Sequence, residues 1–285
     1  MSEIIVLGTA QDGGLPHAGC RCAQCERARS DSTFRRSPAS IGIRCGSETI
    51  LVDATSAFSE QIHVLQFAVP DSKRGSRYRA PSTVILTHGH TGHYVGLWQL
   101  DKSVMAADCV RVYGPPLTIE LLATNEPWRQ MVADGFIALA PLPIGAVHDL
   151  TPDLSVVPVA VPHRSEWQTD TVAYRINGPT RSLLYLPDID RWDDWEIDAV
   201  EAIGSVDVAL IDGTFWEPFS RPGVPHPPVT ESLNLFGEIA RSGRARILFT
   251  HLNHSNPLVD PDSPEAQLVR ESGFEIARDG DIIPL

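Results

Sequence analysis

A single α/β domain is the architecture the sequence predicts, and three observations predict it. Short apolar, β-rich runs alternate with helical patterns in both halves of the chain. No change of composition resembling a linker divides the 285 residues. Hydrophobic residues make up 42% and charged residues 21%, ordinary values for a chain that buries one large core.

The elements follow in order. Glu3 to Thr9 is a short apolar run ending in Gly8 and the Gln11-Asp12-Gly13-Gly14 turn, which predicts a buried strand. Residues 10–38 read as a long polar loop rich in Gly, Cys and Arg, and a loop of that length needs something to order it. Ser40 to Cys45 and Thr49 to Val52 predict a hairpin across Gly46-Ser47, with Asp53 at the end of the second strand. A helix is expected over Ser59 to Val69, then a strand over Ser82 to Thr87 that stops at His88. Further strands are expected at Val110 to Tyr113, Leu154 to Val161, Thr171 to Ile176, Ser182 to Leu186, Val206 to Ile211 and Arg246 to Phe249. Helices are expected near Trp195 to Ile203 and Thr230 to Arg241, and the proline-rich stretch from Arg221 to Pro228 reads as a loop over a site.

A formal net charge of −13 argues against nucleic acid and against an anionic membrane surface. The one local basic stretch, Ser72 to Arg79, is either a patch for a small anion or a solvated loop. The opening residues lack a basic n-region and a cleavage site, so a cytoplasmic protein is expected. Of five cysteines, three crowd into Cys20-Arg21-Cys22-Ala23-Gln24-Cys25, a spacing that suits metal better than a disulfide framework. Cys45 and Cys109 lie in or beside apolar strands and are expected to be packed core residues.

Thr87-His88-Gly89-His90-Thr91-Gly92-His93 places three imidazoles in a tight turn after a strand, where their nitrogens can converge on one or two divalent metals. The three cysteines likewise match a structural zinc site, whose fourth ligand must come from elsewhere, His254 or His17; free thiols in a reduced loop are the alternative.

His-x-His-x-x-His after a strand resembles the signature of the metallo-β-lactamase superfamily. That resemblance implies a four-layer αβ/βα sandwich over residues 1–285, with metals at one edge. By the same resemblance, Asp53 supports the ligand turn, while His163, Asp188 and His251, each ending a predicted strand, join His88, His90 and His93 as ligands. The first metal would take His88, His90, His163 and Asp188, and the second His93, His251 and a share of Asp188. Position 92 departs from the pattern: it is Gly where the superfamily places the Asp of the second metal, which leaves a mononuclear site as the alternative. Asp212 is expected beside the ligands, and His226 is expected to donate a proton to the leaving group or to contact an anionic substrate.

Within the superfamily the chain resembles the coenzyme PQQ synthesis protein B family. The likeness rests on Leu7-Gly8-Thr9-Ala10, Gly13-Gly14-x-Pro16, the cysteine loop, Gly92, Asp212-Gly213-Thr214-Phe215-Trp216, Asn253-x-x-Asn256-Pro257 and Gly273-Phe274-Glu275-Ile276-Ala277. Asp188 and His254 are instead similar to the cyclic phosphodiesterase of phosphonate degradation, in which a histidine completes the cysteine site. Together the resemblances imply a metallo-hydrolase. Hydroxide on an active-site metal would attack a phosphodiester, ester or amide of a small, anionic molecule, with one further zinc held by Cys20, Cys22, Cys25 and His254 in the 10–38 loop. Zinc is the first expectation for the active site, with manganese or iron as alternatives. Two other readings stand beside this one: an iron-dependent oxygenase or hydroxylase step in pyrroloquinoline quinone biosynthesis, and a non-catalytic metabolite carrier. The oligomeric state is open, a dimer included.

Overall fold

The apolar runs become strands, and their connectivity repeats. The computed structural model describes residues 2–66, 79–218 and 223–285. In the first half, β1 (Ser2–Gly8), β2 (Ser40–Cys45), β3 (Glu48–Val52), β4 (Thr83–Ile85), β5 (Val110–Gly114) and β6 (Ile137–Pro141) lie side by side in that order. In the second half, β7 (His148–Thr151), β8 (Leu154–Ala160), β9 (Val172–Asn177), β10 (Ser182–Leu186), β11 (Val208–Asp212), β12 (Arg246–Thr250) and β13 (Glu275–Ile276) form the other sheet. The last strand, β14 (Ile282–Pro284), returns to pair with β1. The pairs β1–β2 and β2–β3 are antiparallel and β3–β4, β4–β5 and β5–β6 parallel. The run from β8 to β13 repeats this pattern. Each half therefore directs four consecutive parallel strand ends toward one edge, where loops can hold ligands.

Three buried clusters define four layers. Between the sheets, Ile4, Val6, Ile41, Ile50 and Ile85 meet Val156, Tyr174, Tyr185, Leu210 and Leu248. On the outer face of the first sheet, Ile5, Leu51, Val84 and Val112 pack on Phe58, Ile62 and Leu65 of α2 (Phe58–Gln66), whose buried positions recur at helical spacing. On the outer face of the second, Leu184, Leu186, Ile211, Ile247 and Phe249 pack on Phe236 and Ile239. These belong to the long helix Val229–Ser242, which stops at Gly243 in the left-handed region (φ 70°). Helices thus cover both outer faces, the αβ/βα sandwich expected. No helix among the described residues is long and apolar enough to cross a membrane.

Several expectations need correction. The 10–38 segment is not all loop: α1 (Ala23–Ser30) and a 3-10 turn (Ser32–Phe34) lie within it, Cys25 and Ala28 being buried. Their pattern is too short and charged to stand out as a helix in sequence. The helix expected to Val69 is described only as far as Gln66, and residues 67–78, with most of the basic stretch, lie outside the described residues, as do 219–222. The second-half helix starts at Ala199, capped by Asp198, because Trp195 packs in the preceding turn with its indole donating to the Ala160 carbonyl at 2.6 Å. Strands β6, β7, β13 and β14 were not foreseen; β6 and β7 are edge strands with mostly half-exposed residues, and the other two have only two or three residues. Cys45 is half-buried, whereas Cys109 is exposed, since it turns the chain (φ 50°) just before β5 and points away from the core.

Candidate metal centre

The carboxyl ends of the parallel strands carry the site. Asp53 follows β3 and His251 follows β12, both non-glycine residues in the left-handed region (φ 65° and 58°), a conformation that turns each side chain sharply off its strand. His88, His90 and His93 occupy the turn from β4 into α3 (Thr91–Tyr94), whose start at His90 points the imidazoles back over the strand end. Asp188 stands two residues beyond β10, in the place in the second half that Asp53 holds in the first.

Each of these histidines, with His163, sets one ring nitrogen beside a polar side chain and presents the other to the centre. Thr87 Oγ donates to Asp53 and accepts from His88 Nδ1 at 2.9 Å. His93 Nδ1 donates to Asp53 Oδ2 at 2.8 Å, and Asp53 Oδ1 also accepts from the Thr87 N–H. His163 Nδ1 lies 2.7 Å from Asp190, His251 Nδ1 3.0 Å from Thr214 Oγ, and His90 Nε2 2.8 Å from Glu166. The inward atoms then fall into two groups. His88 Nε2 and His163 Nε2 lie 2.9 and 3.2 Å from His90 Nδ1. His93 Nε2 and His251 Nε2 each lie 3.3 Å from Asp188 Oδ2, and 3.2 and 3.5 Å from Asp12 Oδ1. Asp188 stands between the groups, 4.0 Å from His88 and 3.8 Å from His163, so it sits nearer the His93/His251 pair than the first-metal assignment anticipated.

The donor set fits one or two divalent cations. Among the described residues Asp188 Oδ2, His226 Nε2 and His251 Nε2 are buried without a hydrogen-bond partner, the condition of atoms built to face a ligand. Burial, reinforced by the neighbouring imidazoles, holds His88 and His90 below the ordinary histidine range, leaving neutral rings with a lone pair to offer. Desolvation opposes ionisation of Asp188, but the surrounding imidazoles of His251, His93, His163 and His88 outweigh it and keep the carboxyl well below the usual range. His93 is pushed the other way: burial disfavours its charge, yet Asp53 and the facing carboxylates raise it.

Asp212 is fully buried and accepts from the Ile189 and Thr214 N–H groups. Its Oδ2 also meets His226 Nδ1, which leaves His226 Nε2 turned toward the centre, 7% exposed rather than free on a loop.

Three residues of the site were missed. Asp12 was read only as part of a Gly-Gly turn. Asp190 is legible in hindsight, since Asp188-Ile189-Asp190 is an alternation that puts both carboxylates on one side. Glu166 lies in an irregular loop that gives no signal.

Cys20, Cys22, Cys25 and His254 also come together, with candidate ligand atoms all within 4.8 Å. Cys20 Sγ and Cys22 Sγ are each 3.6 Å from His254 Nδ1. His17 instead turns its Nδ1 to the Ala18 carbonyl and packs its ring on His254 at 4.7 Å between centroids. Burial pushes the Cys25 thiol up to about 11, so a cation is what would hold all three sulfurs as thiolates.

Residues 48–252 match the family described as Beta-lactamase superfamily domain. The chain belongs to the beta-lactamase superfamily. Within that superfamily it is similar to coenzyme PQQ synthesis protein B of Methylobacterium radiotolerans, at 29% identity over 98% of each chain. The corresponding protein of Xanthomonas oryzae pv. oryzae is 27% identical, again over 98% of each. Among solved structures, Zn(2+)-bound PqqB from Methylobacterium extorquens superposes with a TM-score of 0.83 at 24% identity, covering 99% of this chain and 100% of that one. A diphosphatase of the PhnP family gives 0.70 at 22%, covering 100% and 98%. Both likenesses are likenesses of fold.

Proposed function

We propose that the chain is a metal-dependent hydrolase of a small, anionic phosphodiester, ester or amide in the cytoplasm. The observation that carries the reading is the gathering of His88, His93, His163 and His251 within 4.0 Å of Asp188, with His90 Nδ1 against His88 and His163 and the rings of His88, His93 and His251 held on their outer nitrogens by Thr87, Asp53 and Thr214. His88, His90 and His163 would hold one cation, His93 and His251 a second, with Asp188 between them. A divalent metal there, zinc first and manganese or iron as alternatives, polarises the scissile group and lowers the pKa of water. Asp188 supplies the buried negative charge that orients the incoming nucleophile's proton. His226, whose charged form Asp212 favours against its burial, presents Nε2–H to the leaving group. Cys20, Cys22, Cys25 and His254 hold one structural zinc that ties the 10–38 segment to the rim.

A second reading is favoured by the match to coenzyme PQQ synthesis protein B across nearly the whole chain. In that reading the same histidines hold iron for an oxygen-dependent hydroxylation on the way to pyrroloquinoline quinone.

Metal analysis of the purified protein, with turnover of bis(p-nitrophenyl) phosphate, a p-nitrophenyl ester and a lactam, tests the first reading. Hydrolysis of one of them that His90→Ala abolishes is expected. A metal-replete protein inert toward all three overturns it, and oxygen uptake by the iron-loaded protein with a tyrosine-containing peptide would establish the second. Function surviving His90→Ala would point to a carrier.

A further inference from the structure

The missing carboxylate at position 92 has a physical replacement. A Cβ built on Gly92 would lie 2.3 Å from Asp12 Cγ, 2.6 Å from Asp12 Cβ and 2.6 Å from Asp12 Oδ2. The space beside His93 that a side chain at 92 would fill is therefore filled by the side chain of Asp12, which arrives from the loop after β1. Its Oδ1 faces His93 Nε2 at 3.2 Å and His251 Nε2 at 3.5 Å. Among the described residues those two nitrogens face carboxylates, while the Nδ1 atom of each ring is taken by Asp53 or Thr214. Across from Asp12 they face Asp188 Oδ2 at 3.3 Å each. Two imidazoles between two carboxylates from opposite sides make a four-donor cation site of mixed N and O character.

The position of Asp12 is set by backbone rather than by chance rotamers. Leu252 N donates to the Thr9 carbonyl at 2.8 Å, and Gln11 N to the Leu252 carbonyl at 2.9 Å. Asn253 Nδ2 donates to Gln11 Oε1 at 2.5 Å. The stretch before Asp12 is thus zipped to the residues directly after His251. Beyond it, Gly14 takes φ +66° and donates to the Gln11 carbonyl at 2.7 Å, closing the turn that aims Asp12 back at the site.

The geometry points to Asp12 as a direct ligand of the second metal, with Asp12 and Gly92 forming an exclusive pair: one carboxylate, supplied from either position but not both. The inference rests on the two-metal form of the hydrolase reading and extends it. It also places one ligand of that metal on the rim, since the Asp12 side chain is 43% exposed while His93, His251 and Asp188 are buried. The second site is then the more open and the more readily exchanged of the two.

The test is zinc content and zinc affinity of the full chain, by elemental analysis after dialysis and by competition with a chromophoric chelator. Wild type, Asp12→Asn, Asp12→Ala and the double variant Asp12→Gly/Gly92→Asp are compared. Loss of one zinc per chain is expected in both single variants, or weakening of one site by at least the roughly 10–100-fold that losing a mere outer partner costs. Recovery of that zinc is expected in the double variant. Asp12→Asn with two active-site zincs at wild-type affinity overturns the proposal even if the double variant fails to fold. A wild type that takes only one active-site zinc in excess metal overturns the two-metal reading itself, and Asp12 with it. Cobalt substitution gives a second readout: the visible absorption of the second cobalt should change in Asp12→Asn while that of the first stays as in wild type.

Discussion

His226 Nδ1 and Asp212 Oδ2 lie 2.7 Å apart with both side chains sealed from solvent. Burial disfavours the charged imidazole, but Asp212 outweighs it and raises His226 above the ordinary histidine value. The pair therefore contributes stability that is fully present below about pH 6.5, the unperturbed histidine value. That contribution is lost as pH rises through the higher folded value. In Asp212→Asn the unfolding free energy should fall most at acidic pH and converge toward wild type at alkaline pH, as read from urea melts across the pH range. The alkaline limb of hydrolysis should move to lower pH in the same variant, with metal content unchanged.

Asp53 serves three donors at once: the Thr87 N–H, the Thr87 hydroxyl and His93 Nδ1. Asp53→Ala leaves them buried without an acceptor, at about 1–3 kcal/mol for each stranded group. It also puts alanine at φ 65°, a further cost of about 1 kcal/mol. Urea unfolding should show a loss of several kcal/mol, and zinc affinity should fall about 10–100-fold. Asp53→Asn tolerates the backbone angle and keeps the Thr87 N–H bond, so it should lose distinctly less stability.

Cys22→Ser should lower zinc content by one per chain and depress Tm, because a metal at that cluster would tie α1 to His254. His254→Ala should do the same, whereas His17→Ala should not. A Cys22→Ser protein with wild-type zinc would remove the structural site.

Gly8 ends β1 where a Cβ would sit 1.9 Å from the Pro38 carbonyl oxygen and 2.7 Å from its carbon. Both obstacles are backbone, so Gly8→Ala should force β1 and the 38–39 segment apart and cost at least the roughly 1–3 kcal/mol typical of overpacking. Differential scanning calorimetry would read it as a lower Tm with the metal content intact.

Much of this was legible in residues 40–60, 82–93 and 246–251, where apolar runs end abruptly on Asp53, His88 and His251. An Asp or His stopping a β-rich run is visible without coordinates, and its partners can be sought at other strand ends. Asp12 was not legible for the opposite reason. It ends no strand, and the Gly-Gly that follows is a complete local explanation of it; only the pairing of residues 9–11 with Leu252 and Asn253 brings it to His251. Glu166 was hidden because a carboxylate that only lies beside a ring leaves no spacing rule, whereas Asp190 was open to the alternation with Asp188. The edge strands β6 and β7 escaped because half-solvated strands lose the apolar pattern that marks central ones.

The repeated connectivity of the two sheets has a consequence for the life of the protein. His88, His90, His93 and Asp12 come from one half, and His163, Asp188 and His251 from the other, so each cation bound there would be a rivet across a seam that side-chain packing and a few backbone hydrogen bonds, such as those of Leu252 to residues 9–11, also close. Occupancy at a thousand times the dissociation constant would add about 4 kcal/mol to the closed state. A chain starved of metal keeps its sheets but loses its rivets, and cleavage by a protease at the loops bordering the seam would then report how well supplied with metal its surroundings are.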